Sequence, residues 1–295
     1  VGNKYDGSES DLSVTNSACD DGSINWTYYY DNGGDDYGSQ VLVDNSDNIY
    51  IVGTSYHSTD QMDLVIIKLD DQGNEEWVFR WDAGSGFSEI PTDVQLTSGD
   101  DLLVTGIANY SINETPSDED IFVLKLSNSG DLDWSQVYDH NSLGDVPIGL
   151  SYNSTHVFIG GHCYASSTSR KITLLKYDIG TGSLDIAHSE NSSANEYATD
   201  LVMDNSGNLL ITGRRHNGNH HNAVILKFSS DLVKQWEYSY DGHSLDDKMM
   251  HIIAETSGMI YAIAESQNRD GGTNSTLLSV NSSGVEQWTY EMEPE

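Results

Sequence analysis

The sequence predicts an all-β propeller with five recognisable four-stranded blades and an N-terminal β-hairpin arm. Three observations predict it. A tryptophan recurs with a period of about 52 residues, three further markers keep the same phase, and each unit holds four short β-like runs bounded by turn residues.

The tryptophans are Trp26, Trp77, Trp134, Trp236 and Trp288, at steps of 51, 57, 102 and 52. The long step hides a unit in which Ile186 takes the tryptophan position. Gly53, Gly106, Gly160 and Gly213 close apolar runs such as NIYIVG and NLLITG, and the fifth copy has Ala264. Lys68, Lys125, Lys176 and Lys227 recur inside runs such as LVIIKL and VILKF, and the fifth copy has Ser279. A glycine lies four residues before the tryptophan position at Gly22, Gly73, Gly130, Gly182 and Gly284, with Leu232 in the remaining unit.

Within the second unit the runs fall at about 92–97, 101–107, 120–126 and 132–138, here strands a to d. Turns such as TSGDD and DNSGN between a and b carry a tight hairpin signature. No stretch has helical periodicity, and none of the four prolines falls within a central run. Antiparallel units of this length are propeller blades. The copies here combine an acid before strand a, strand b runs such as NIYIVG and NLLITG, an apolar-Lys strand c and a Gly-x-x-x-Trp entry to strand d. This combination resembles the bacterial and archaeal surface β-propeller repeats of the SBBP type, over about residues 24–291. The resemblance implies a propeller in a secreted or envelope protein and implies no particular reaction.

Residues 1–31 read as the arm and 32–295 as the propeller. Residues 11–30 form a surplus c–d hairpin with Gly22 and Trp26 in register. The fifth blade already has its own strand d, so the hairpin does not complete it. Three readings stay open: a clasp beside the fifth blade, a donor to the exposed edge of another molecule, or the start of a sixth blade. The second would build a homopolymer, because strand addition supplies main-chain hydrogen bonds and a head-to-tail contact propagates.

With 295 residues and a net charge of −34, the chain is unsuited to ordinary nucleic-acid binding or to anionic lipid. No apolar run approaches 18 residues, so no membrane insertion is expected. The chain begins at Val1 with no basic or apolar leader region, which reads as a removed signal or as a fragment; with removal as the expectation, the expected location is extracellular or at the cell surface. Sequons at Asn25, Asn109, Asn113, Asn153, Asn191, Asn274 and Asn281 permit N-glycans. Cys19 and Cys163 are disulfide candidates, within or between molecules, with two free thiols as the alternative.

One acidic position precedes strand a in every unit: Asp36, Glu89, Asp145, Glu196 and Asp247. Converging at a channel mouth, these carboxylates would suit Ca²⁺. The expected role is structural, accepting backbone N–H groups or a lysine and locking neighbouring blades. The periodic lysines point the same way, to ion pairs between strands or blades. DNSDN (44–48) and DNSGN (204–208) lack the spacing of a calcium loop and read as turns. His216, His220 and His221 have spacings that suit Zn²⁺ or Cu²⁺ but lie in a polar loop. The sequence contains no G-x-S-x-G, HExxH, P-loop or dinucleotide fingerprint. Tyr28, Tyr29, Tyr30 and Trp81 offer faces for sugars or for a neighbouring chain. The expected function is non-enzymatic: a structural or adhesive surface subunit that polymerises by hairpin complementation. The alternative is a secreted binding module for Ca²⁺, a glycan or a peptide, and the third reading is a carbohydrate-active propeller enzyme.

Overall fold

The computed structural model describes residues 2–5, 10–17, 22–57, 61–84, 87–110, 119–166 and 168–292. All regular structure among them is β, and every pairing is antiparallel between sequence neighbours. Contacts group the chain into two units, Val1–Gly144 and Asp145–Glu295.

The first unit contains a three-stranded sheet and two blades. The sheet comprises β1 (Gly2–Tyr5), β2 (Ser10–Ser17) and β3 (Ile24–Tyr30). Blade 1 is β4 (Asp36–Val43), β5 (Ile49–His57), β6 (Gln61–Leu69) and β7 (Glu75–Trp81). Blade 2 is β8 (Ser88–Leu96), β9 (Leu102–Tyr110), β10 (Asp120–Leu126) and β11 (Leu132–Tyr138). The second unit contains three blades. Blade 3 is β12 (Asp145–Tyr152), β13 (His156–Ser166), β14 (Ser169–Asp178) and β15 (Leu184–Ser189). Blade 4 is β16 (Glu196–Met203), β17 (Leu209–His216), β18 (His221–Phe228) and β19 (Lys234–Tyr240). Blade 5 is β20 (Asp247–Ala254), β21 (Ile260–Gln267), β22 (Thr273–Val280) and β23 (Glu286–Met292).

Most of the sequence markers meet a contact that explains them. Strand a shifts register in every blade, between Gly38 and Gln40 in blade 1 and between Ala198 and Asp200 in blade 4, and twice in blade 2. The bulge presses a strand a carbonyl onto strand b. A Cβ on Gly53 would lie 2.0 Å from the Tyr37 oxygen, and one on Gly213 would lie 2.0 Å from the Tyr197 oxygen. In blade 3 the glycine so placed is Gly161, at 2.4 Å from the Val146 oxygen; Gly160 instead faces Leu201 and Ile211.

The tryptophans and turn glycines join successive sheets. Trp26, Trp77 and Trp236 cover Gly73, Gly130 and Gly284, where an added Cβ would come within 2.6, 2.8 and 2.7 Å of the rings. Each indole N–H donates to a carbonyl in the same turn, that of Asp71, Asn128 or Ser282. Two marker exceptions are therefore one event. Ile186 lacks the indole, Leu232 replaces the glycine beneath it, and the two share a core cluster. Leu232 keeps the turn's left-handed backbone at φ 55° while being 3% exposed.

The expected N-terminal hairpin is present as β2 and β3, but β1 adds a third strand. The segment GNKY is too short and too polar to be legible as a strand from its pattern. Leu12, Val14, Trp26, Tyr28 and Tyr30 of this sheet cover Ile49, Ile51, Val65, Ile67 and Leu69 of blade 1. The opposite side of the sheet is mostly polar, with Thr15 and Ser17 exposed beside Tyr29. A chain beginning at Asn32 would expose the aliphatic face of blade 1. Its Tm is expected to fall by on the order of 10 °C, with ANS binding gained; an unchanged Tm would contradict this packing.

Candidate functional site

The five periodic acids open strand a in their blades and are all buried. Local contacts explain most of them. Asp36 accepts the Asn32 N–H at 3.0 Å, and Asp247 accepts the Gly242 N–H at 2.9 Å. Burial raises both carboxyls above the usual range, against the opposing pull of the nearby Ser55 and Ser266 hydroxyls. Asp145 pairs across the ladder with Cys163. Glu196 holds the Arg215 Nε at 2.5 Å, the Ser192 hydroxyl at 2.8 Å and the Ile172 N–H at 3.2 Å. Glu89 differs: it is 0% exposed, and neither carboxylate oxygen has a well-formed hydrogen bond among the described residues. Burial first, then Asp82, raises its carboxyl to about 8 against an approach of the Ala83 N–H; Asp63 adds to the rise.

The periodic lysines are structural. Lys68 bonds Glu76 at 2.9 Å and the Asn128 carbonyl at 3.3 Å. Lys125 bonds Asp101 at 2.8 Å and Asp133 at 2.7 Å. Lys176 reaches Asp231 at 3.1 Å, and Lys227 reaches Asp204 at 2.7 Å. Asp44 and Asp204 fold back on their own turns, accepting N–H groups from Ser46 and Asn48 and from Ser206 and Asn208. These are Asx turns, and their oxygens are directed inward.

Cys163 is free and buried, and burial followed by the neighbouring Asp145 raises its thiol. Cys19 and Asn113 lie outside the described residues. Among the other sequons, Asn25 and Asn191 are exposed. The side-chain nitrogens of Asn109 and Asn274 donate to Asp120 and Glu291, so a glycan there would break those bonds. Asn153 and Asn281 use their side-chain oxygens to hold turns. Tyr28 donates to Glu75, and Tyr30 accepts from Arg80 at 3.2 Å. Tyr29 is 51% exposed, and the Trp81 ring packs tilted against Phe122 at 4.9 Å between centroids.

The most distinctive constellation lies at the loop ends of blades 3 to 5. The chain has only five arginines, and Arg170, Arg214 and Arg215 converge here. The Tyr197 ring is the hub. Arg214 lies 4.3 Å and Arg170 4.8 Å from its centroid, and Arg170 also donates to its hydroxyl at 2.6 Å. Arg170 covers Tyr164 at 4.0 Å. His162 and His221 meet the edges of the Tyr197 ring, and His216 meets His221. Burial and the two guanidinium charges lower His162 to about 4, so it is neutral at physiological pH. His221 is fixed by Asp246 at 3.0 Å, and His220 approaches Asp241 at 3.4 Å. The three loop histidines therefore have separate partners. Arg214 and Lys248 line a recess of about 120 Å³ with Asp246, Asp247, Glu265, Gln267 and Thr273. Neither makes a close ion pair among the described residues, although the Asp246 carboxyl is held below its usual range by the bonds from His221 first, with Arg214 adding to them. No linear motif announced this site, because its residues come from three strand types of three blades.

Beneath it, Glu190 is 6% exposed and accepts from His188 at 3.2 Å and Lys234 at 2.7 Å. Burial alone would raise its carboxyl; the bonds and charges of His188 and Lys234 hold it at about 2, against an ordinary 4.5. A depressed carboxyl contributes stability that is present above its unfolded value and lost as pH falls through the folded one. Glu190→Gln is expected to cost about 2–3 kcal/mol at pH 7, with the difference vanishing between pH 4.5 and 2 in urea melts.

No family model and no curated protein matches the chain. Solved structures do resemble it. A europium-containing methanol dehydrogenase is similar at TM-score 0.59 and 11% identity, over 98% of this chain and 70% of that one. A protein of unknown function from Dyadobacter fermentans is similar at TM-score 0.53 and 10% identity, over 88% and 83%. An ulvan lyase bound to -[GlcA(1-4)Rha3S]- is similar at TM-score 0.53 and 10% identity, over 89% and 71%. At these identities the likeness shows the fold alone, an all-β propeller.

Proposed function

We propose that this chain is a surface-displayed propeller that binds an acidic saccharide at the loop ends of blades 3 to 5, without turnover. One observation carries the reading. In a chain of net charge −34, Arg214 and Lys248 line a polar recess without ion-paired partners, beside the guanidinium-stacked Tyr197. Arg214 and Lys248 share the recess with Asp246, Asp247 and Glu265 without a close ion pair to any of them, so an arginine fork stays open to a ligand carboxylate or sulfate while the acids accept from hydroxyl groups. Asp246, Gln267 and Thr273 supply acceptors and donors for hydroxyl groups. The ulvan lyase with its bound -[GlcA(1-4)Rha3S]- accords with this ligand class.

The filament reading has less support. The apolar side of the 11–30 hairpin already covers blade 1, and the side left exposed is mostly polar. A glycan array comparing the full chain with Arg170→Ala and Arg214→Ala tests the proposal. Binding confined to uronate- or sulfate-bearing glycans is expected, weakened about tenfold or more by either variant and by raised salt. Preference for neutral glycans, or binding unaffected by both variants, would overturn it. Products released from a bound glycan would move the protein to the enzyme class.

A further inference from the structure

Blade 5 leaves open a sheet face whose counterpart in blade 1 is covered. In blade 1 the strand register sets Tyr50, Lys68 and Trp77 in one row and Val52, Ile66 and Phe79 in the next. Their apolar members share a core with Val104, Phe122 and Leu124 of blade 2. The same register in blade 5 sets Tyr261, Ser279 and Trp288 in one row and Ile263, Leu277 and Tyr290 in the next. Ile253 extends the first row, opposite Tyr261, and Met292 stands beside the second, opposite Ser275.

This face is exposed. Ile253, Ile263, Trp288, Tyr290 and Met292 are each 38–64% exposed. No other sheet face among the described residues leaves large apolar side chains open on three of its strands. Ile253, Tyr261, Ile263 and Leu277 also line a recess of about 120 Å³, a seat for a partner's side chain. The repeat itself changes here. Lys68 and Lys227 reach across their joints to the Asn128 and Ser282 carbonyls, whereas blade 5 has the uncharged Ser279 at this position.

An occupant must offer an apolar sheet face of its own. The N-terminal sheet does not. Ser13, Thr15 and Ser17 stand where blade 1 has Val65, Ile67 and Leu69, the residues that a preceding sheet covers. A second copy of the chain does, through blade 5 itself.

We propose that two copies pair through this face of blade 5 about a two-fold axis. The five exposed side chains present about 600 Å² per copy, so the pair would bury about 1,200 Å², at the lower end of specific interfaces. Aromatic residues and methionine without lysine or arginine make up the core of such a contact. An isologous contact is closed, so association stops at two. Each copy carries a charge of −34, so repulsion opposes pairing and added salt favours it. This inference does not rest on the saccharide reading.

Sedimentation equilibrium of the full chain tests it. A monomer–dimer equilibrium with a Kd of about 1–100 µM is expected in about 0.5 M NaCl, several-fold weaker in about 0.05 M. Tyr290→Asp, at a position exposed enough not to endanger folding, should weaken the dimer at least about tenfold by setting unpaired carboxylates in the contact. Ser279→Lys restores the residue that other blades carry and should weaken it similarly. Val233→Asp adds the same charge at an exposed valine of the β18–β19 turn and should leave the dimer unchanged. A chain still monomeric at about 0.5 mM would assign the face to another occupant and overturn the proposal. So would a dimer retained in both face variants, equal weakening by Val233→Asp, or assemblies growing beyond two, as head-to-tail addition would give.

Discussion

Replacing Arg215 by Ala is expected to lower the unfolding free energy by about 3–5 kcal/mol, the largest effect of any single substitution considered. Its guanidinium touches three carboxylates: Glu196 at 2.5 Å, Glu190 at 3.5 Å and Glu237. Glu196 is 0% and Glu190 6% exposed, so removing the arginine strands buried negative charge in a chain already at −34. The cost lies in the uncompensated carboxylates more than in lost packing. Arg215→Ala combined with Glu196→Gln should therefore be less destabilised than Arg215→Ala alone. Urea midpoints at pH 7 measure both. A double variant no better than the single one would contradict the charge argument.

The second large effect concerns the joint that lacks the repeated tryptophan. Ile186→Trp alone should cost about 2 kcal/mol or more, because the new indole meets the Leu232 side chain where other joints offer a glycine. Leu232→Gly alone relieves a left-handed leucine but opens a cavity beneath Ile186, at a net cost of about 1–3 kcal/mol. Combined, the two substitutions recreate the Trp236–Gly284 arrangement. A double-mutant cycle in urea is expected to give a favourable coupling of about 2 kcal/mol or more. Additive costs would show that the two marker exceptions are unrelated.

The fold was legible because its markers record contacts between successive sheets. Trp77, Gly130 and Lys68 recur in phase because indole, turn glycine and ammonium meet at one joint. The joint between Ile186 and Leu232 was not readable, because in sequence the two exceptions fall in different repeats and only the packing of each tryptophan on the next turn brings them together. Gly2–Tyr5 was not legible, because four residues of mixed polarity carry no period. The saccharide site was mostly hidden. His216 and His221 stood out as neighbours in sequence, but Tyr164, Arg170, Tyr197 and Arg214 come together only through strand pairing and blade packing. The periodic acids were visible as a series, yet Glu196 and Glu89 have opposite surroundings. Glu196 is held by Arg215, Ser192 and the Ile172 N–H, whereas the Glu89 oxygens have no such partners among the described residues.

The most direct test of the binding account is calorimetric titration of the full chain with two matched ligands: an oligouronate and the same oligosaccharide with its carboxylates reduced to alcohols. The two share ring shape and length, so their difference isolates the anion. Saturable binding of the oligouronate is predicted, at least tenfold weaker for the reduced form and for Arg214→Ala. Equal affinity for the two oligosaccharides, or no binding of any acidic saccharide in a carboxylate and sulfate panel, would contradict it.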